Sequence, residues 1–195
     1  MSDVIRTLSP NKAKNALRHA MKKKRPVFLW GPPGIGKSDI VAQVTDEFSN
    51  SHLIDIRLSL WDPTDIKGIP YFDSTNVKMV WGAPSELPDE EMAAQYDNIV
   101  VFFDEMNSAA PAVQAAAYQL ILNRRVGQYK LPDNVIIVAA GNREADKGVT
   151  YRMPSPLANR FIHIEMAVEF DDWFQWAVDN NQHKDVVGYL TFAKK

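Results

Sequence analysis

The segment WGPPGIGKSD, residues 30–39, decides how the rest of the chain is interpreted. It follows a short apolar run, PVFLW at 26–30, and precedes apolar residues that repeat at helical spacing to about residue 48. Gly31, Gly36, Lys37 and Ser38 have the spacing G-x-x-x-x-G-K-[ST], which is that of a phosphate-binding loop between a strand and a helix. The alternative is a glycine-rich turn that carries a lysine by chance, and the strand before it and the helix after it argue against that alternative.

The residue types of this loop suit an anion. Glycine lets the backbone bend toward a ligand, and the N-terminus of the following helix adds the positive end of its dipole. Pro32 and Pro33 lack an N–H and can only stiffen the entry, so the expected donors are the N–H groups of residues 34–38. Lys37 is expected to reach the β- and γ-phosphates, and the Ser38 hydroxyl to bind Mg²⁺. The predicted nucleotide-contacting residues are Gly31, Pro32, Pro33, Gly34, Ile35, Gly36, Lys37, Ser38 and Asp39.

Two further apolar runs end in polar residues of the kind that such a site needs. NIVVFF at 98–103 is followed by Asp104 and Glu105, and VIIVAAG at 135–141 is followed by Asn142. In open parallel sheets, ligands bind at the carboxyl ends of the strands. Asp104 is expected to hold Mg²⁺ through water, Glu105 to orient or deprotonate an attacking water, and Asn142 to contact the γ-phosphate or that water. Taken alone, these would be an ordinary pair of strand-end carboxylates and a turn-forming asparagine.

Strand-like runs alternate with helical patterns along the chain, which predicts an α/β fold with a parallel sheet wrapped by helices. Strands are expected at 26–30, 52–58, 98–103, 135–141 and 160–166, and hairpins at 69–81 and 126–135. Helices are expected at 9–24, from 37 to about 48, from near 111 to before 127, from a cap at Asp171 or Asp172, and within 183–195. Tyr71, Trp81 and Tyr129 in the hairpins are candidates for contact with a partner, although a hairpin aromatic usually packs across the strand pair.

The composition is that of an ordinary globular protein, with 46% of 195 residues hydrophobic, 24% charged and a net charge of −2. This small net charge gives no overall attraction to nucleic acid or to membranes. A local basic run, KKKR at 22–25, is either a solvated helix end or a nuclear-localisation or nucleic-acid patch. The chain has no cysteine, its first ten residues are too polar for a signal peptide, and no apolar run approaches the ~20 residues that span a bilayer. We therefore expect a cytoplasmic protein without membrane contact.

The motifs together resemble the AAA+ ATPases and, within them, the MoxR-type branch. The segments that carry the resemblance are DPTDIKGIPY at 62–71, DEMNSAAPAVQAAAYQLILNRRVG at 104–127, LPDNVIIVAAGNRE at 131–144 and RMPSPLANRF at 152–161. The resemblance covers nearly all of residues 10–190 and implies a three-layer αβα P-loop NTPase core with a five-stranded parallel sheet. It implies a core at 1–168, with hairpin inserts at about 66–82 and 125–135, and the start of a small helical lid at 169–195.

The resemblance also implies roles for the strand-end residues, with ATP and Mg²⁺ as the bound groups. Lys37 and Ser38 match the Walker A pair, Asp104 and Glu105 match the Walker B pair, and Asn142 matches sensor 1. Ser38 and Asp104 are then the residues that hold Mg²⁺. Glu105, Lys37 and Asn142 are then catalytic residues.

Arg160 matches the arginine finger, a fourth catalytic residue that reaches the nucleotide of a neighbouring subunit, with Arg152 as the second candidate. An intrachain salt bridge is the alternative for Arg160. A finger implies a homo-oligomer, which in this family is typically a hexameric ring. The family's lid normally carries a sensor 2 arginine, but no arginine follows Arg160, so we expect either a fragment or a short form whose lid function is lost or supplied by another chain.

Taken together, these features favour an ATP-binding and ATP-hydrolysing MoxR-like protein that remodels or matures a protein partner, such as one with a von Willebrand A domain. A nucleic-acid-directed ATPase is the first alternative, and it requires an exposed basic stripe for which only KKKR and Arg124-Arg125 are available. A nucleotide-gated assembly module without turnover is the second, favoured by the short lid and opposed by Asp104-Glu105. A P-loop kinase is a more distant alternative, because nothing resembles an acceptor-binding lid.

Overall fold

The computed structural model describes residues 7–143, 146, 150–151 and 153–193. Six of its strands are β1 (Thr7–Leu8), β2 (Val27–Trp30), β3 (Ser51–Arg57), β6 (Asn98–Asp104), β9 (Val135–Gly141) and β10 (Ile162–Met166). Two hairpins add β4 (Ile69–Asp73) with β5 (Lys78–Gly82), and β7 (Arg125–Val126) with β8 (Tyr129–Lys130). The helices are α1 (Pro10–Lys22), α2 (Lys37–Asp46), α3 (Pro63–Lys67), α4 (Glu90–Gln95), α5 (Pro111–Asn123), α6 (Ser155–Ala158), α7 (Phe170–Asp179) and α8 (Lys184–Ala193).

The main sheet is parallel throughout and has the strand order β1-β10-β2-β9-β6-β3. This confirms the expected α/β fold, with six strands in place of five. The additional strand, β1, is only two residues long and pairs with the end of β10, as Thr7 opposite Glu165 and Leu8 opposite Met166. So short a segment carries no apolar pattern of its own, and its strand geometry depends on a partner far away in the chain.

Helices cover both faces of the sheet, because alternate residues of each strand enter two different cores. Phe28, Phe103 and Ile137 pack in the core beneath α5, whereas Leu29 and Phe102 pack in the core beneath α1 and α2. All of these side chains are buried. Two-sided burial explains why the central strands are continuous apolar runs, and it produces the three-layer αβα arrangement.

The expected cap of the helix after β10 is wrong. This helix, α7, begins at Phe170 after Glu169, so Asp171 and Asp172 lie in its first turn. The carboxylate of Asp172 instead accepts a hydrogen bond of 2.8 Å from the backbone N–H of Asn11, in the first turn of α1. This hydrogen bond holds the pKa of Asp172 below its ordinary value and joins two helices that are far apart in the sequence.

Two short helices lie in segments for which no helix was expected. Asp62 precedes α3, and its backbone N–H donates to Asp65 over 2.7 Å. Asp89 precedes α4 and accepts from the N–H of Met92 over 2.8 Å. Aspartate before the first helical turn is a recognised start signal, so both helices could have been predicted.

The two hairpins differ in how their aromatic residues are placed. In β4–β5, Tyr71 and Trp81 are exposed, as are Phe72 and Met79. Tyr129 of β8 is only 8% exposed, and its hydroxyl donates to the carbonyl of Pro88 over 2.6 Å. Its proposed role in partner contact is therefore wrong, because the ring is part of the core. Burial also raises the pKa of Tyr129.

One side-chain hydrogen bond joins β2 to β10. Trp30 Nε1 donates to His163 Nδ1 over 2.8 Å, and the other ring nitrogen of His163 lies 2.7 Å from the carbonyl oxygen of Ala158. Since Nδ1 accepts, the proton of the neutral ring is on Nε2 and is donated to the carbonyl oxygen of Ala158.

No helix among the described residues is long and apolar enough to cross a membrane.

Candidate functional site

Three neighbouring strands bring the predicted site residues together. β2, β9 and β6 are adjacent in the sheet and run in the same direction, so their carboxyl ends lie at one edge, the carboxyl edge. The loop of residues 31–36 follows β2, Asp104 ends β6, and Asn142 follows β9. The site therefore results from the strand order, which places the polar residues at the ends of three separate strands side by side.

The loop after β2 depends on glycine at two positions. Gly34 and Gly36 have φ angles of +77° and +87°, in the region that side chains rarely adopt. Gly36 is the residue before the first turn of α2, and its carbonyl accepts from the N–H of Ile40 over 3.0 Å. The N-terminus of α2 therefore opens directly onto the loop, where its free N–H groups can bind an anion.

Lys37 is the most buried charged residue of the site, with 8% of its surface exposed. Its Nζ donates to the carbonyls of Gly31 and Pro32, at 2.9 and 3.1 Å, and to Asn142 Oδ1 at 3.1 Å. Burial lowers the pKa of Lys37, and the nearby carboxylate of Asp104 opposes this effect. The ammonium group thus sits between the loop and the end of β9.

Ser38 and Asp104 form the second contact of the site. Ser38 Oγ donates to Asp104 Oδ2 over 3.1 Å, and Asp104 Oδ1 accepts from the N–H of Glu105 over 2.8 Å. A hydroxyl and a carboxylate are the oxygen ligands that Mg²⁺ prefers. The residues present therefore fit a magnesium ion held by this pair.

Glu105 adopts an unusual backbone conformation, with φ of +52° and ψ of +31°. Its carboxylate accepts a hydrogen bond from Ser59 Oγ and lies 3.9 Å from Arg57 Nε. Arg57 is the last residue of β3, the strand beside β6, and Ser59 follows two residues later. A non-glycine residue in this region of φ and ψ is strained, and such strain is concentrated at functional sites. Neither Ser59 nor Arg57 was singled out in the sequence.

A buried amide lies beside Asn142 and was also missed. Asn107 is 3% exposed; its Nδ2 donates to the carbonyl of Asn142 over 2.7 Å, and its Oδ1 accepts from the N–H of Asn142 over 3.2 Å. The signal available in the sequence was a polar residue two positions after Glu105, which alone does not distinguish a site residue from a turn residue.

Arg143 anchors the chain after Asn142 to β10. Its guanidinium forms ion pairs with Asp146 at 2.9 Å and with Glu165 at 3.1 Å. The hydrogen bonds to these carboxylates raise the pKa of Arg143, and the hydrogen bond from Arg143 holds the pKa of Asp146 below its ordinary value. These contacts could not be read from the sequence, because Glu165 lies on a different strand.

Arg160 lies at the other edge of the sheet, which we call the amino edge. It comes two residues before β10, and the first residue of β10, Ile162, donates its N–H to the carbonyl of Pro26 just before β2. Four residues of β2 separate this edge from the P-loop, or about 13 Å. Arg160 is exposed and forms no ion pair within the described part of the chain, so the salt-bridge alternative finds no support there. Arg152 lies outside the described residues.

The remaining predicted loop residues vary in exposure. Gly31 is buried, Pro32, Ile35 and Ser38 are partly buried, and Pro33, Gly34 and Asp39 are exposed. The carbonyls of Gly31 and Pro32 are occupied by Lys37. The structure thus brings Lys37 into contact with Asn142, and Ser38 into contact with Asp104. It leaves Arg160 apart from both pairs. The roles assigned to these residues stay predictions.

Comparison with solved structures supports the fold. The chain aligns with a protein assigned as an ATPase from Cytophaga hutchinsonii over 91% of its own length and 52% of that chain, with a TM-score of 0.61 and 17% identity. It aligns with NtrX from Brucella abortus over 85% of its length and 38% of that chain, with a TM-score of 0.54 and 13% identity. At such low identity, these likenesses show the fold alone.

Sequence comparison finds longer relatives. The chain is 24% identical over 190 residues to midasin from Giardia intestinalis, which covers 88% of the chain and 4% of midasin. It is 25% identical over 142 residues to a proteasome-associated ATPase from Pseudarthrobacter chlorophenolicus, and 29% over 134 residues to a cell division cycle protein 48 homologue from Archaeoglobus fulgidus. These alignments cover 65% and 63% of the chain, but only 23% and 16% of the two relatives. The chain therefore spans less than a quarter of the length of each of these relatives.

A match to a family profile identifies the family. Residues 27–167 match the family described as "ATPase family associated with various cellular activities (AAA)". The match begins at β2, ends just after β10, and includes the P-loop, Asp104 and Asn142. It spans more than half of the chain and agrees with the parallel sheet and the site geometry. The chain belongs to the AAA family.

Proposed function

We propose that this chain binds ATP together with Mg²⁺ and hydrolyses ATP to ADP and phosphate. The observation that carries the proposal is the contact of Lys37 with Asn142, at 3.1 Å, beside the contact of Ser38 with Asp104, also at 3.1 Å. A cation, a hydroxyl, a carboxylate and an amide thus meet at the mouth of a loop whose N–H groups can bind phosphates. This is the set of groups that phosphoryl transfer to water requires.

Each residue has a distinct task in this proposal. The N–H groups at the start of α2 and the Lys37 ammonium bind the β- and γ-phosphates. Mg²⁺, held by Ser38 and Asp104, would neutralise charge on the phosphate oxygens. Glu105, oriented by Ser59, accepts the proton of the attacking water, and Asn142 donates its amide to the γ-phosphate or to that water.

Arg160 is proposed to act on a neighbouring copy of the chain. It lies at the amino edge and so cannot reach the nucleotide bound at the carboxyl edge of its own sheet. Because it is exposed and forms no ion pair among the described residues, its guanidinium is available to a second molecule. A homo-oligomer, with a hexameric ring as the form suggested by the MoxR-type resemblance, would place it against the adjacent γ-phosphate.

The partner that we propose is a protein, remodelled or matured at the expense of ATP. The exposed apolar side chains of the β4–β5 hairpin, Tyr71, Phe72, Met79 and Trp81, support contact with a polypeptide. A protein with a von Willebrand A domain is the partner class that the MoxR-type resemblance suggests. Assignment to that branch, and the division into a core at 1–168 and a lid segment at 169–195, remain part of this proposal.

The first test is calorimetry with ATP–Mg and with ADP. The wild-type chain should bind both nucleotides, and Lys37→Ala should lose most of the affinity because it removes the cation that lies among the phosphates. Lys12→Ala, which removes an exposed lysine of α1, is the matched control and should bind like the wild type. A wild-type chain that ignores both nucleotides, or a Lys37→Ala variant that binds them equally well, would contradict the proposal.

Turnover is tested with Glu105→Gln. This variant should bind ATP like the wild type and lose about 10²–10⁴-fold in hydrolysis rate, because the amide cannot accept the proton. Phosphate release at a series of protein concentrations should rise more than linearly for the wild type if Arg160 acts between subunits. Tight ATP binding without turnover at any concentration would instead favour a nucleotide-gated assembly module.

A nucleic-acid-directed ATPase is the second candidate, because the structure joins two basic segments. Lys24 Nζ donates to the carbonyl of Asp133 over 3.1 Å, and Arg124 donates to the carbonyl of Val135 over 3.1 Å. Lys24 of the KKKR run and Arg124 therefore bond to the same short segment, residues 133–135, which enters β9 at the amino edge. Fluorescence anisotropy with labelled DNA at several salt concentrations tests this candidate, since phosphate contacts produce a steep salt dependence. If the wild type and a Lys22→Ala/Lys23→Ala/Arg125→Ala variant bind the labelled DNA equally, the nucleic-acid-directed function is excluded.

A further inference from the structure

The backbone of Asn142 lies where the regular strand pairing has ended. The last pair between β6 and β9 is Phe103 with Ala139, and the last pair between β2 and β9 is Trp30 with Gly141. Asn142 therefore has no strand partner for its N–H and C=O groups. Both groups bond instead to the side-chain amide of Asn107, at 3.2 and 2.7 Å. An amide can replace a strand in this way because, like a peptide unit, it offers one acceptor and one donor on the same side.

The residue before Asn142 is shaped to admit this amide. A Cβ atom added to Gly141 would lie 2.2 Å from Asn107 Oδ1, 2.8 Å from its Cγ and 2.9 Å from Phe28 Cζ. No side chain fits at these distances, so position 141 requires glycine for a steric reason. The end of β9 and the turn after Glu105 are thus in direct contact through Asn107.

These two hydrogen bonds also determine where the side chain of Asn142 points. With its N–H and C=O both held, the direction of its Cα–Cβ bond is fixed, and its Oδ1 lies 3.1 Å from Lys37 Nζ. The backbone carbonyl of Asn107 also accepts from the N–H of Tyr151 over 2.7 Å. Asn107 therefore connects the turn after the Walker B pair, the end of β9 and the chain around Tyr151.

We propose that Asn107 is a positioning residue that orients Asn142 toward the terminal phosphate of ATP. It acts through Asn142 and does not itself touch the nucleotide. The inference rests on the proposed function, because it assumes that Asn142 distinguishes ATP from ADP. It predicts that loss of the Asn107 amide reproduces the loss of the Asn142 amide.

The experiment compares the affinities for ATP–Mg and ADP–Mg by calorimetry, in chains that also carry Glu105→Gln so that ATP is not consumed. The chain in which Asn107 and Asn142 are both intact should bind ATP–Mg more tightly than ADP–Mg. In Asn107→Ala and in Asn142→Ala, this preference should fall by a similar factor, about 10–100-fold, the size expected for a lost hydrogen bond to a charged group. The affinity for ADP should change by less than about threefold, because the contacts of the loop are intact.

Gln114→Ala is the matched control. Gln114 is a second buried amide, 3% exposed, whose Nε2 donates to the carbonyl of Ala109 over 2.9 Å without contact to Asn142. Its loss should lower the melting temperature, as that of Asn107 does, and leave the preference for ATP unchanged. A purely structural role of Asn107 would give the same result as this control.

A conservative variant covers the case in which Asn107→Ala does not fold. Asn107→Leu keeps the approximate size without adding a charge and loses both hydrogen bonds to Asn142, so it should lower the preference as Asn107→Ala does. Wild-type preference in both Asn107 variants, with the preference lost in Asn142→Ala, overturns the inference. Equal affinity of the wild type for ATP and ADP overturns it as well. Failure of the proposed function is a different result, since the wild type would then bind neither nucleotide.

Discussion

The two edges of the central sheet carry polar residues that are organised in opposite ways. At the carboxyl edge, Lys37, Ser38 and Asp104 are partly or fully buried and find their partners within the chain. At the amino edge, Arg160 is exposed and forms no ion pair within the described part of the chain. Polar groups of the carboxyl edge thus bond to one another, whereas Arg160 at the other edge has no charged partner among the described residues. The proposed site shared between subunits predicts such a difference.

The largest effect should come from Arg160→Ala, which tests whether the amino edge serves another copy. We expect a fall of about 10³–10⁵-fold in hydrolysis rate, the size typical of arginine fingers, with ATP affinity close to that of the wild type. Mixing Arg160→Ala with Glu105→Gln should restore some turnover, because one chain then supplies the arginine and the other the base. Phosphate release by each variant and by the mixture measures this effect.

Arg25→Ala is the control for this prediction, since Arg25 is another exposed arginine at the amino edge. Full activity of Arg160→Ala would remove the functional contrast between the edges. So would a mixture that stays as inactive as its components.

An intermediate effect is expected from Tyr129→Phe, which tests how much a buried and partnered side chain contributes outside the carboxyl edge. The variant removes the hydroxyl that donates to the buried Pro88 carbonyl. The free energy of unfolding should fall by about 1–3 kcal/mol, because a buried acceptor loses its donor. Urea denaturation measures this, with the exposed Tyr71→Phe as the matched control. Equal stability of the two variants would mean that the contact contributes nothing.

The smallest effect concerns an ion pair between two helices, outside the sheet itself. Glu47 accepts hydrogen bonds from Arg18 and lies 3.3 Å from Lys14, so that the end of α2 is tied to α1. The hydrogen bond from Arg18 lowers the pKa of Glu47 from 4.5 to about 2. The pair therefore stabilises the fold above pH 4.5, and this contribution is lost as the pH falls through about 2.

Glu47→Gln should accordingly cost less than about 1 kcal/mol near neutral pH, as is usual for a solvent-exposed pair. The difference from the wild type should shrink as the pH falls below 4.5. Urea denaturation at about pH 7 and about pH 3 measures how this difference in stability changes with pH, with Asp46→Asn as the control. A stability difference that grows at low pH would contradict a stabilising contact between Arg18 and the ionised Glu47.

Much of the carboxyl edge could be predicted from the sequence because its signals are local. Val135–Gly141 is a continuous apolar run followed directly by Asn142, and the P-loop has a fixed spacing of glycine, lysine and serine. A buried parallel strand and the residue that follows it can be recognised from a few neighbouring positions. The family assignment followed from the same segments.

The features that were missed depend on contacts between distant residues. Asp172 was expected to cap its own helix, yet it bonds to Asn11, 161 positions away. Asn107 and Asn142 are 35 positions apart, and Arg143 and Glu165 are 22 apart. Nothing in the immediate neighbourhood of these residues indicates which partner the fold will bring to them. Tyr129 was misjudged for the same reason, since its hydroxyl bonds to the carbonyl of Pro88, 41 positions away.

The position of β2 has a consequence for how the protein is made. β2 lies between β9 and β10, and the Trp30–His163 hydrogen bond on its β10 side joins residues 133 positions apart. Until residues 162–166 have left the ribosome, the nascent chain exposes one side of this strand, with unpaired N–H and C=O groups. Such an open apolar strand invites aggregation, and chaperones commonly shield it. The strand that leads into the P-loop is translated early and enclosed late, so the loop is supported on both sides of its strand only after β10 has paired with β2.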